Sequence, residues 1–98
     1  MEVEHHYTLT EAAEKDLRAI MAHTAADSVH AAWSLASEFE DRFVTLATRP
    51  HLGELRPDLT DQPVRSYVLY PYLIVYRSEP LSACILRIVT TNADIVPI

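Results

Sequence analysis

The sequence predicts an α+β fold of order β-α-α-β-β-β, an antiparallel helical hairpin packed on a small antiparallel sheet. Three observations predict it. Apolar residues recur at helical spacing through two segments between residues 11 and 47. After Pro63 the texture changes to β-branched and aromatic runs with short connections. The prolines Pro50, Pro57, Pro63, Pro71, Pro80 and Pro97 all fall between periodic segments, so they mark connections.

Taken in order, Val3 to Leu9 mixes β-branched and aromatic residues and reads as a first strand. Thr10 is an N-cap, with Glu11 and Glu14 in the first turn, where the helix dipole favours acids. Ala13, Leu17, Ile20 and Met21 form the stripe of a helix expected to end near His23 or Thr24. Asp27 or Ser28 caps the next helix. Its stripe is Val29, Ala32, Trp33, Ala36, Phe39, Phe43, Leu46 and Ala47, opposite polar Glu38, Asp41, Arg42 and Thr45. Two helices with so short a link lie antiparallel. Gly53, the single glycine, closes the turn after the second helix. Val64 to Tyr70, Tyr72 to Arg77 and Ser82 to Thr91 read as three strands, and their short connections imply antiparallel pairing. The hairpin should cover one sheet face, and the other face could stay open.

The 98 residues make one domain, 1–98. A chain of this size buries roughly 60–65% of its unfolded surface, enough for one core. Cys84 is the only cysteine, so no internal disulfide forms, and the expected compartment is the reducing cytoplasm. No apolar run reaches the ~18 residues of a membrane span. The opening Met1 to His6 lacks the regions of a signal peptide. A net charge of −6 disfavours direct nucleic-acid binding, which needs a basic face. The charge is uneven: residues 1–62 carry −7 and residues 63–98 carry +1.

Few residues suggest chemistry. His5 and His6 are neighbours on a strand and point to opposite faces, so they do not share a metal. His23 and His30 flank the helix turn, but no cysteine or well-spaced carboxylate completes a zinc set. Glu38, Glu40 and Asp41 read as a solvated helix face, and Cys84 as a core or half-buried thiol. Ser66 and Ser82 match no nucleophile motif, and one glycine cannot build a phosphate loop. Trp33, Phe39 and Phe43 read as core. No catalytic residue, cofactor or metal is expected. Arg65, Arg77 and Arg87 stand apart, because each interrupts an apolar strand. Three arginines on successive strands can line up across one sheet face. Either they pair with Asp58, Asp61, Glu79 or Asp94, or they form a groove for a carboxylate-rich partner segment. Tyr67, Tyr70, Tyr72 and Tyr76 lie in the same region, and Tyr beside Arg is a common interface composition.

Pro50-His51-Leu52-Gly53-Glu54-Leu55-Arg56-Pro57-Asp58-Leu59, Val64-Arg65-Ser66-Tyr67, Tyr72-Leu73-Ile74-Val75-Tyr76-Arg77 and Leu86-Arg87-Ile88-Val89 together resemble a ParE-type toxin of the RelE/ParE superfamily. Tyr7-Thr8-Leu9-Thr10 with Ala13 and Asp16-Leu17 is similar to that family's opening strand and first helix. The resemblance implies the same fold and a cytoplasmic bacterial toxin neutralised by a cognate antitoxin in a hetero-oligomer. It also implies DNA gyrase as the target, through protein–protein contact. On this resemblance Arg65, Tyr67, Tyr72, Tyr76, Arg77 and Arg87 are the expected antitoxin-binding residues. Thr90, Asn92 and Asp94 are the expected toxicity-related C-terminal residues.

Two alternatives stand beside this reading. One is a RelE-like ribosome-dependent mRNA endonuclease, which needs basic and aromatic groups near its C-terminus. Residues 88–98 contain no Lys, Arg, His or Tyr, and acid–base cleavage needs such groups. The other is a degenerate, non-toxic antitoxin-binding module. ParE chains commonly carry a His and a basic residue before the Asp matching Asp94, where this sequence has Thr90 and Ala93.

Overall fold

The computed structural model describes residues 6–80 and 82–92. A hydroxyl cap starts each helix. Thr10 follows β1 (His6–Leu9); its Oγ1 accepts the Ala13 N–H at 3.1 Å and donates to the Leu86 carbonyl at 2.8 Å. One side chain thus caps α1 (Glu11–Asp27) and pins its start to β5 (Ser82–Thr90). α1 continues past its expected end. Ala25 and Ala26 favour helix, and the Thr24 hydroxyl donates back to the Ile20 carbonyl at 2.8 Å instead of stopping it. Ser28 alone links α1 to α2 (Val29–Thr48). Its N–H donates to the Thr24 carbonyl at 2.9 Å, and its Oγ accepts the Ala31 N–H at 3.1 Å. A single residue therefore ends one helix and begins the next, which makes the hairpin.

The sheet runs in the order β1-β5-β4-β3-β2. Here β3 is Val64–Leu69, β4 is Tyr72–Glu79, and β2 is the short edge strand Glu54–Leu55. β2 through β5 pair antiparallel. β1 is the exception: it lies parallel to β5, with Tyr7 opposite Ala83 and Leu9 opposite Ile85. Its neighbour is set by a long crossover through the helices, which no local pattern contains. β2 lies in the segment that sequence pattern assigned to no strand, because two residues carry no periodicity.

Register assigns the faces. Arg65, Tyr67 and Leu69 of β3 share a face with Tyr76, Ile74 and Tyr72 of β4. Against this face the helices bury Phe39, Phe43, Leu46, Tyr76, Ile74 and Ile85. Rings of Tyr7 and Tyr72 stand 5.3 Å and 5.5 Å from Phe43 and Phe39. The opposite face is not left fully open, as pattern alone suggested. Leu59, from the loop after β2, closes over Val64 and Val75, with Leu73 and Leu86 beside them. A register shift between Val75 and Tyr76 sets Leu86 out of the β4–β5 ladder.

One core assignment is corrected. Phe39 and Phe43 are buried, but Trp33 is 74% exposed and Val29 62% exposed. Six residues separate Trp33 from Phe39, about 240° of helix rotation, so both cannot face the same core.

Candidate functional site

Two surfaces carry the residues with recognition chemistry. The first is the arginine–tyrosine region of the sheet. Arg65 stands opposite Tyr76 on the helix-facing side, whereas Arg77 stands opposite Val64 on the other side. The expected alignment of three arginines across one face therefore does not occur, because their registers put them on alternate faces.

Each arginine meets different neighbours. Arg65 donates from Nη1 to the Gly53 carbonyl at 2.9 Å and to the His51 carbonyl at 3.4 Å, while Nη2 lies 3.2 Å from His51 Nδ1. Arg77 lies 3.6 Å from Glu79, one of the acids expected from sequence. Arg87 forms a two-point pair with Asp16 of α1, at 2.7 and 3.1 Å, and this hydrogen-bonded partner raises its pKa further. Asp16 was not among the expected partners. Its carboxylate also accepts the Ile88 N–H at 2.9 Å, where β5 extends beyond the end of β1.

The tyrosines divide between interior and surface. Tyr76 has no exposed area, so it offers no contact to a second chain. Its hydroxyl donates to the Pro50 carbonyl at 2.9 Å and accepts the Gly53 N–H at 2.9 Å. Burial pushes that hydroxyl above its ordinary pKa, opposed by the Gly53 bond and by Arg65. Tyr67 and Tyr72 are half-buried against the helical core, and Tyr70 is 82% exposed. Thr90 and Asn92 are exposed at the end of β5 and in the following turn; Asp94 lies outside the described residues. Cys84 is a half-buried free thiol opposite both Arg77 and Thr8.

The second surface was missed by sequence reading. Met21, Ala22 and Ala25 of α1 and Val29, Ala32, Trp33 and Ala36 of α2 line a groove of about 450 Å³ along the hairpin. Met21 and Ala36 also line an adjoining cavity of about 250 Å³ that reaches Tyr7, Phe39, Glu40 and Phe43. Burial first, and Glu40 second, raise the pKa of Tyr7 there. The signal was present: the apolar stripe of α2 is too wide for one face, so its flank had to lie outside the core. Alanines let a partner approach the helix backbones closely, and Trp33 supplies a large ring at the rim.

A family profile described as the ParE toxin of the type II toxin–antitoxin system, parDE, matches residues 7–95. The chain belongs to the ParE toxin family. Among solved structures, its fold is similar to a chain of the chromosomal ParDE TA system from P. aeruginosa. That likeness has a TM-score of 0.68 at 23% identity and covers 86% of this chain and 92% of the other. No curated protein matches the sequence significantly. In this ParE family member, two of the residues singled out from sequence hold the protein together: Tyr76 ties down the 50–53 loop, and Arg87 ties β5 to α1. No described helix is long and apolar enough to cross a membrane.

Proposed function

We propose that this ParE family member is a toxin, held inactive by a cognate antitoxin in the cytoplasm, that inhibits DNA gyrase by protein–protein contact. The observation that carries the reading is the family match across residues 7–95. The surface supports a protein partner in two ways. The hairpin groove, with Trp33 at 74% exposure, has the apolar character that receives an amphipathic segment. The net charge of −6 favours a protein contact over one along nucleic-acid phosphates. Antitoxin binding covers the groove, and gyrase is engaged when the toxin is free.

The test is induction of the chain alone in bacteria, followed by a gyrase assay on the purified protein. Loss of viability with filamentation, and blocked supercoiling or gyrase-dependent DNA breaks in vitro, is the expected result. Killing with codon-positioned transcript cuts and intact supercoiling would replace gyrase by the ribosome. Harmless expression of folded protein that still binds the antitoxin would leave a binding module without toxicity.

A further inference from the structure

The hairpin groove carries its own complement. Its α1 side is small, with Ala22 and Ala25, and its α2 side is large, with Val29 62% and Trp33 74% exposed. One surface that offers both a hollow and a ridge can pair with a copy of itself across a two-fold axis. Heights along the hairpin match as well. Counted from Ser28, Ala22 lies six residues back and Trp33 five residues on, roughly 9 Å and 8 Å up the two helices. Spacings of four and three put Arg18 in one row with Ala22 and Ala25. Spacings of four and seven put Glu40 in one row with Val29 and Trp33. Arg18 and Glu40 therefore frame the open end of the groove, roughly 15 Å and 18 Å from the link. Both are exposed, and neither makes an ion pair among the described residues.

We infer that this groove seats a second copy of the chain, α1 of each hairpin against α2 of the other, with the two-fold axis along the hairpin. In that arrangement Trp33 of each copy covers Ala22 and Ala25 of the other, and Arg18 of each meets Glu40 of the other. The four helices form a bundle in which neighbours run antiparallel. With the axis across the hairpin instead, Arg18 would meet the other copy's turn, where Asp27 lies about 200° round α1 from Ala25. Charge complementarity thus selects the first arrangement. Exposed Trp33 can bring most of the roughly 150–250 Å² that an aromatic side chain buries. Two such rings, with Val29 and the alanines, approach the roughly 1,000 Å² of a specific interface at its weak end. The pair is therefore micromolar. This inference goes beyond the toxin reading and does not rest on it. A second copy and the antitoxin compete for one groove, so the free chain covers its own apolar surface.

The experiment is sedimentation velocity of the full chain from about 1 to 200 μM, with the emission of Trp33, the only tryptophan, read alongside. A micromolar monomer–dimer equilibrium is expected, with emission moving to shorter wavelength as the dimer forms. Trp33→Ala should weaken it at least about tenfold. Arg18→Glu puts two like-charge pairs in the contact and should weaken it about tenfold at low salt. Adding Glu40→Arg to Arg18→Glu should restore the original constant. Circular dichroism checks that each variant is folded, and Arg18→Glu tests the contact even if Trp33→Ala does not fold. A monomer at every concentration would leave the groove to the antitoxin and overturn the inference. A dimer indifferent to Trp33→Ala would lie elsewhere on the molecule and also overturn it. Loss on Arg18→Glu without rescue by the double variant would overturn the pairing of α1 with α2. The assay reads mass and no toxicity, so its failure is separate from failure of the toxin reading.

Discussion

Tyr76 and Gly53 show how two residues fix a loop. The Tyr76 hydroxyl, inside the core, holds both the Pro50 carbonyl and the Gly53 N–H. A Cβ on Gly53 would lie 2.6 Å from that hydroxyl and 2.7 Å from the Ser66 carbonyl oxygen. Glycine is required here for close approach, since its φ is not positive. Gly53→Ala should destabilise by about 1–3 kcal/mol in urea unfolding, because the sheet backbone cannot give way. Tyr76 also predicts a pH effect. Its folded pKa is raised, so the native state holds this proton more tightly than the unfolded chain. That contribution is complete below the ordinary tyrosine value of about 10 and is lost as pH rises through the raised value. Urea midpoints measured from about pH 8 to pH 11 should therefore fall, and fall less in Tyr76→Phe.

The helices depend on single polar residues at their ends and bury only part of their apolar surface. Ser28 caps both helices, and Ser28→Ala should cost about 1 kcal/mol, read as a lower thermal midpoint. Asp16 joins α1 to β5 by binding Arg87 and the Ile88 N–H together. Asp16→Ala should cost about 1–3 kcal/mol and speed amide exchange at Ile88. The two aromatics of α2 should behave oppositely. Phe39→Ala empties core volume and should cost about 3–5 kcal/mol, whereas Trp33→Ala should change stability by less than about 0.5 kcal/mol.

Across the whole molecule, the buried core and the exposed apolar groove are spatially separated. The sheet side of the hairpin is core, while its outer flank is the groove containing Trp33. Trp33→Ala should thus leave the fold intact and still weaken antitoxin binding by roughly tenfold or more, measured by calorimetry on the purified pair. Unchanged affinity would move the antitoxin away from this groove. Arg87, in contrast, is engaged with Asp16, and its replacement should affect folding first.

Much of this protein was legible in its local patterns. The hydroxyl caps, the two helical stripes and the three late strands follow from spacing and from residues with fixed conformational preferences. The resemblance around Pro50 to Leu59, Val64 to Tyr67 and Tyr72 to Arg77 likewise led to the ParE family. The faces of Arg65 and Arg77 could not be read this way, because a one-residue change of register moves a side chain across the sheet. The parallel pairing of β1 with β5, the Tyr76–Gly53 contact and the Arg87–Asp16 pair join residues distant in the chain. Local periodicity reports that a residue is apolar or polar, and on which side of its own element it lies. Only the packing of elements decides what that side meets, which is why Trp33 belonged to the stripe and not to the core.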